Sequence, residues 1–275
     1  IGGNRIPFVR SNTSYSQASN MDMLSVTLEG LVERFNLSGQ RLGEVAAGAV
    51  MKHSRDFNLA REATLNSGLS LQTPAYDVQQ ACGTGLEAAI LVGNKIALGQ
   101  IESGIAAGTD TASDAPIALN EKYRHMILSL NRAKTLGQRL KALASIRPSF
   151  MLPLLPANAE PRTGLSMGQH CELMVKDWGI SREEQDQLTY NSHQNLIAAY
   201  ERGFFNDLVR PFNGVERDGI MRDTPLEKLA KLKPAYDPVN GTLTAANSTT
   251  LTDGAAAVLM GSEDWAQQNN LPVQA

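Results

Sequence analysis

The sequence predicts an α/β fold: a sheet with parallel or mixed strands, layered with crossover helices and interrupted by a helical insertion. Three observations carry this. Over residues 1 to about 120, short apolar runs alternate with segments of helical periodicity, the pattern of strand–helix–strand units. From about 121 to 241, strand-like runs give way to helices, prolines and charges. The small, apolar texture then returns from 242 to 275. The predicted organisation is therefore 1–120 as the first part of a sheet domain, 121–241 as a helical insertion, and 242–275 as the return of the first domain. An excursion of roughly 120 residues is far longer than a plain loop.

In chain order, Ile1 to Pro7 reads as the tail of a strand entering a loop. Met21, Leu24, Leu28, Leu31, Val32 and Phe35 recur at helical spacing, which predicts a helix over 20–36. Gly43 to Met51 is small and apolar and reads as a buried strand. Asn58 to Asn66 reads as a second helix, stopped by Gly68. A buried strand over Ala75 to Ala81 follows Pro74. Leu86, Ala89, Ile90, Gly93, Ile96 and Ala97 mark a third helix, and Gly104 to Gly108 the next strand. Within the insertion, Ser181-Arg182-Glu183-Glu184 is a capping-box pattern opening a helix that runs to about Arg202 and stops at Gly203. Thr224-Pro225 opens a shorter helix, with Pro225 expected in its first turn. Gly254 to Met260 reads as a buried strand, and Leu271-Pro272-Val273 as the start of another. On this reading both ends of the chain are expected to be cut.

Composition narrows the function classes. The chain has 275 residues, 42% hydrophobic and 19% charged, with 25 basic against 28 acidic side chains and a net charge of −3. A chain of this length buries roughly 75% of its unfolded surface and needs no disulfide staples. Cys82 and Cys171 form no Cys-x-x-Cys pair, which argues against a zinc ribbon and a secreted disulfide framework. No apolar run approaches the ~18 residues of a membrane span, and nothing at the start resembles a signal peptide. The near-neutral balance argues against dedicated nucleic-acid binding. A reduced, soluble, cytoplasmic enzyme is the expectation.

The sharpest local feature is Gln79-Gln80-Ala81-Cys82-Gly83-Thr84-Gly85-Leu86. Cys82 falls where a strand ends and a helix begins, so unpaired N–H groups and the positive end of the helix dipole favour a thiolate there. Gly83 and Gly85 remove side chains and let a substrate approach the backbone. The Cys82 N–H is placed to help hold an oxyanion during acyl transfer. Most free cysteines are nonetheless small buried hydrophobes, and spacing alone leaves both readings open.

The segment around Cys82 resembles the nucleophile motif of the thiolases, and two further stretches are similar to that family in the right order. Gly164-Leu165-Ser166-Met167-Gly168-Gln169-His170-Cys171-Glu172 resembles the family's Met-Gly loop, and Thr242 to Ala257 the stretch bordering its coenzyme A site. Phe57 to Arg61 and Ala107 to Asp110 match weaker landmarks. Ala230 to Tyr236 and Ala245 to Ser248 are most similar to the β-subunit type of the fatty-acid oxidation complex.

The resemblance implies the N-terminal half of a thiolase fold, βαβαβαββ, plus the insertion domain. It implies thiolytic cleavage of a 3-ketoacyl-CoA to acetyl-CoA and a shortened acyl-CoA, or the reverse Claisen condensation, through an acyl-thioester on Cys82. Met167 would line the site, Ala245 and Thr249 would meet coenzyme A, and Arg222 and Tyr236 would cover its nucleotide end. Coenzyme A enters as substrate, with no bound cofactor and no metal. Family members are homodimers or homotetramers, in some cases joined by an oxidation-complex α-subunit.

The departures carry equal weight. Ser166 stands where many thiolases have His, and Thr249 where several have Ser. The family takes a general base from a Gly-His-Pro motif and a second cysteine from Cys-x-Gly-Gly-Gly, both in a C-terminal half. Here the four histidines precede Ser54, Met126, Cys171 and Gln194, and Cys171 precedes Glu172. Losses of roughly 10²–10⁴-fold per missing group follow, so the chain is expected to be inactive alone. The rival readings are a β-ketoacyl synthase-type condensing enzyme and a non-catalytic binding module on the same fold.

The remaining features have bland readings. His170 and Cys171 offer no set of three or four convergent metal ligands. His53, His125 and His193 read as surface or hydrogen-bonded histidines. Residues 121–147 hold seven basic side chains (Lys122, Arg124, Arg132, Lys134, Arg139, Lys141 and Arg147) against Glu121 alone. A solvated helix face is the usual explanation. An anionic partner is the alternative: coenzyme A phosphates, another subunit or a peripheral membrane contact, with nucleic acid disfavoured. Met151 to Ala157 fits either an exposed apolar segment or a buried turn.

Overall fold

The computed structural model describes residues 1–274. Strands β1 (Gly2–Arg5), β3 (Glu44–Gly48), β4 (Ala75–Asp77), β5 (Ser103–Asp110) and β6 (Thr252–Gly261) form one sheet in the order β1-β6-β5-β3-β4, and β2 (Val9–Arg10) pairs with the start of β6. The β5–β3 and β3–β4 pairs are parallel, whereas β6 is antiparallel to both β5 and β1. With helices α1 (Asn20–Arg34), α2 (Leu59–Asn66) and α3 (Thr84–Ala97) between the strands, the chain order is the predicted βαβαβαββ once the two-residue β2 is set aside. Between β5 and β6 the described residues hold helices α4 (Glu121–Arg132), α5 (Leu136–Ala144), α6 (Met167–Asp177), α7 (Arg182–Glu201) and α8 (Leu226–Leu229), and only isolated β-bridges in place of strands. Helix α9 (Glu263–Gln268) follows β6.

Period-two alternation sorts each strand's side chains between two cores. Val45 and Ala47 of β3, Ile105 and Ala107 of β5, and Ala257 and Leu259 of β6 face α1 and α2, where Leu24, Leu28, Leu31, Leu59 and Ala63 meet them. The intervening Ala46 and Ala106 face α3 through Ala88 and Val92. Alanine on this face lets α3 pack close to the sheet. Helix α1 begins with a reciprocal cap: Ser19 Oγ accepts the Asp22 amide at 3.1 Å, and the Asp22 carboxylate accepts the Ser19 amide at 2.9 Å. Such a cap contributes about 1 kcal/mol.

Several expectations need correction. The strand expected over 75–81 stops at Asp77 and is a half-buried edge strand rather than a buried one. Asp77 ends it by turning its carboxylate to the Ala60 amide at 2.7 Å and to Lys52 Nζ at 2.8 Å. Strand β3 ends at Gly48, because the Val50 and Met51 amides turn to a side chain instead of a neighbouring strand. Strand β6 buries Ala255, Ala257 and Leu259 but leaves Val258 45% exposed, since α3 covers β3 and β5 more than β6. Pro225 is the N-cap of α8 rather than a residue of its first turn. Residues 271–274 form no strand.

The segment after α7 is laced to the sheet edge. Arg5 of β1 makes two parallel contacts with Asp218, at 2.7 and 2.8 Å, and the Phe8 amide donates to the same carboxylate at 2.7 Å. The Arg5 amide donates to Leu208 O and the Arg210 amide to Arg5 O. This fixes the segment against Phe8, whose ring helps form the cavity described next.

Candidate active site

Cys82 lies at the tip of a sharp turn between β4 and α3. Its predecessor Ala81 has φ +45°, a left-handed conformation uncommon for a residue with a side chain. The turn is held by Thr84, whose hydroxyl donates to Ala81 O at 2.7 Å and accepts the Gln80 amide at 2.9 Å. The Gly83 amide donates to Gln80 O and the Thr84 amide to Ala81 O. The Cys82 N–H has no hydrogen-bond partner among the described residues. Gly83 is the N-cap of α3, so the positive end of a 14-residue helix stands beside the sulfur. Cys82 is exposed, whereas Cys171, within α6, is half-buried.

The cysteine opens into a cavity of about 220 Å³ at the C-terminal ends of β3 and β5, where open α/β sheets place their ligands. Gly48, Asp110, Gly254 and Phe8 are among its walls. Gly48 is required there: a Cβ at this position would stand 1.9 Å from the Val78 carbonyl oxygen. In the sequence Asp110 is marked only as the end of the weaker landmark Ala107 to Asp110. Its carboxylate accepts the Val50 and Met51 amides, and burial pushes its carboxyl above the ordinary value against the pull of those two bonds.

None of Met167, Arg222, Tyr236, Ala245 and Thr249 lines the Cys82 cavity. Arg222 and Thr249 line a second cavity of about 310 Å³, with His193, Asn247, Ser248 and Thr250. The two cavities are neighbours along the chain, since Thr250 lines one and Thr252 the other. Two residues of extended chain span at most about 7 Å. His193, expected as a surface or hydrogen-bonded histidine, lines this cavity, and its Nδ1 accepts the Arg222 amide at 3.3 Å. Burial, then the neighbouring Arg222 charge, holds its imidazole below the ordinary value.

Ala245 is exposed at a tight turn in which Asn247 Oδ1 accepts the Thr244 amide at 2.6 Å. Two buried carboxylates that motif reading missed hold this turn. Glu172 of α6 accepts the Thr242 and Leu243 amides at 2.8 and 3.1 Å, and Asp186 of α7 accepts Asn247 Nδ2 at 3.1 Å. Met167 is the exposed first residue of α6, behind the N-cap Ser166, whose capping box with Gln169 gives the serine a local role. The Tyr236 ring lies against Gly168, filling the space a Cβ would need.

Comparison with known proteins places this geometry. Residues 1–264 match the family model described as thiolase, N-terminal domain. The chain belongs to the thiolase family. It is 39% identical over 278 residues to a 3-ketoacyl-CoA thiolase of Pectobacterium carotovorum subsp. carotovorum (strain PC1), covering 98% of this chain and 64% of that protein. It is 38% identical to a 3-ketoacyl-CoA thiolase of Yersinia pestis (strain Pestoides F), covering 99% of this chain and again 64% of the relative. The crystal structure of human mitochondrial 3-ketoacyl-CoA thiolase in complex with CoA superimposes with a TM-score of 0.79 at 26% identity, over 98% of this chain and 66% of that one. The chain thus spans just under two thirds of the length of the thiolases it matches.

Proposed function

We propose that this chain supplies the nucleophile and part of the coenzyme A site of a thiolase acting on 3-ketoacyl-CoA in fatty-acid β-oxidation. The observation that carries the reading is Cys82 itself, exposed on a strained turn before α3 and facing a cavity at the strand ends. In the first step Cys82 Sγ bonds to the C3 carbonyl carbon. As the C2–C3 bond breaks, its electron pair goes to C2, which takes a proton to give acetyl-CoA. In the second step the coenzyme A thiol, giving up its proton to a base, attacks the acyl-thioester and releases Cys82 Sγ. The unpartnered Cys82 N–H is available to the oxygen that carries charge in both steps.

In this reading Met167 lines the acyl site, and Ala245 and Thr249 meet coenzyme A. Arg222 and Tyr236 cover the nucleotide end, with His193 beside Arg222 in the same cavity. These residues contain neither a His-Pro pair nor a Cys-x-Gly run, so the base and the proton donor must come from elsewhere. A cytoplasmic homodimer or homotetramer, with an oxidation-complex α-subunit as partner, is the assembly this reading implies.

The test is acyl trapping followed by turnover. The full-length protein incubated with a 3-ketoacyl-CoA should carry one acyl group on Cys82 by intact-mass and peptide analysis, and Cys82→Ser should abolish both the adduct and acetyl-CoA release. The 275-residue chain should release no acetyl-CoA alone. An acyl group on Cys171, or turnover surviving Cys82→Ser, would refute the assignment.

A further inference from the structure

The cavity at Cys82 has an uneven wall. Gly48, Gly85, Gly108 and Gly254 bring only backbone to it, and Ala81 and Ala256 little more. Among the described residues that line it, Phe8 is the only aromatic one and by far the largest. Phe8 lies in the turn between β1 and β2, far along the chain from Cys82. Its ring therefore decides how much room the cavity of about 220 Å³ leaves beside the sulfur.

The ring is held on several sides. The Phe8 amide donates to Asp218 at 2.7 Å and its carbonyl accepts the Gly219 amide at 2.9 Å, so the segment after α7 fixes both peptide groups. The Arg5 guanidinium lies 5.1 Å from the ring centroid, a cation–π contact, and two bonds to buried Asp218 fix Arg5 in turn. The ring also fills the space a side chain on residue 254 would need, since a Cβ on Gly254 would stand 2.2 Å from Phe8 Cδ1. A ring packed in this way yields only by displacing its neighbours.

An acyl group carried by Cys82 is joined to Sγ through its carbonyl carbon, so the next carbon along lies inside the cavity. A straight chain continues outward from that carbon. A branch there needs room in the wall, and glycines and alanines held in a sheet and a turn have no side chain to move aside.

We infer that Phe8 is a specificity-determining residue of this site: its ring admits straight acyl groups and excludes those branched beside the carbonyl, which a 3-ketoacyl-CoA substituted at C4 would deliver. The identity of the acyl group rests on the thiolase reading; the shape of the wall does not. Two measurements on the full-length protein separate them. The first compares isomeric substrates of six acyl carbons, 3-ketohexanoyl-CoA and 4-methyl-3-ketopentanoyl-CoA. The parent should prefer the straight isomer in kcat/KM by about tenfold or more, and Phe8→Ala should remove most of that preference, with Phe8→Leu between. The second needs no thiolase chemistry. Iodoacetamide and 2-iodopropanamide each lose iodide as Cys82 Sγ bonds to carbon, and both are followed on the Cys82 peptide. Relative to a small free thiol, the parent should disfavour the branched reagent by about tenfold or more, and both variants should relax this. Each ratio is taken within one preparation, so partial loss of folded protein cancels. Should neither substrate be cleaved while the alkylation ratios move as expected, the thiolase reading fails and the role of Phe8 as the wall stands. A parent that takes the branched reagent as readily as a free thiol does would overturn the inference, a result that needs no variant to fold. So would an unchanged alkylation ratio in the variants, or an unchanged isomer preference in a variant that still turns over.

Discussion

Asp110 and Val50 meet at the C-terminal ends of β5 and β3, where the Asp110 carboxylate accepts the Val50 amide at 2.7 Å. The Met51 amide adds a second bond at 2.9 Å, and both Asp110 and Val50 line the Cys82 cavity. One carboxylate therefore bends β3 out of the sheet and shapes the cavity wall. Asp110→Ala leaves two amides without their acceptor and should cost about 1–3 kcal/mol at neutral pH, read by urea denaturation. The pH dependence has a definite sign. Burial raises the Asp110 carboxyl above its ordinary value, so folding favours the protonated form. Its contribution is fully present below the ordinary aspartate value and is lost as pH rises through the raised one. The parent should therefore lose stability relative to Asp110→Asn as pH rises through that window. A flat difference would contradict the assignment.

Thr84 should matter to Cys82 without touching substrate. Its hydroxyl bridges Gln80 and Ala81 and holds Ala81 at φ +45°. Thr84→Val keeps the shape but removes both bonds, which should cost about 1–3 kcal/mol. In the parent, iodoacetamide should modify exposed Cys82 before half-buried Cys171. That order should weaken in Thr84→Val and be restored in Thr84→Ser. Equal alkylation order in parent and valine variant would show that the turn does not depend on this hydroxyl.

Local chemistry made part of this legible in the sequence. Helix α7 begins after Ser181 and is followed by Gly203 at φ +73°, because a capping box and a left-handed glycine are decided within a few residues. The turn carrying Cys82 was legible for the same reason, from glycines beside a strand end. The edge position of β4 and the half-open face of β6 were not, since strand order is set by partners far along the chain. Asp110, Glu172 and Asp186 escaped because their partners are backbone amides or an amide side chain up to some seventy residues away, which no spacing marks. The basic run on α4 and α5 could be counted from sequence, but only the coordinates show its leucines facing outward.

The contact between Tyr236 and Gly168 predicts a steric effect. A Cβ on residue 168 would stand 2.1 Å from the Tyr236 ring, so Gly168→Ala must displace the ring and should cost about 1–3 kcal/mol. Tyr236→Phe should be tolerated. The same loop is tied to α6 by Lys176 and Asp237 at 2.6 Å. That bond, with the Asn240 and Val239 amides, pulls the Asp237 carboxyl down to about 2. A depressed value means the tie is present above the ordinary aspartate range and is lost as pH falls towards about 2. A carboxyl-carbon NMR titration should find that midpoint, and Lys176→Met should raise it. An ordinary midpoint in the parent would refute the tie.

His193 offers a direct reading of the second cavity. Burial and the Arg222 charge hold its imidazole below the ordinary value of 6.5, so it is mainly neutral at pH 7. If the cavity receives phosphate groups of coenzyme A, their negative charge offsets that of Arg222 and favours the imidazolium. Coenzyme A should then raise the His193 midpoint, and binding should take up a proton. By linkage the affinity should increase as pH falls through the interval between the free and bound midpoints. Arg222→Gln should raise the midpoint of the free protein and shrink the further rise on binding. Histidine NMR titrations with and without coenzyme A measure both changes. If the His193 resonance keeps its midpoint at saturating coenzyme A, the phosphates bind elsewhere and Arg222 loses its proposed role.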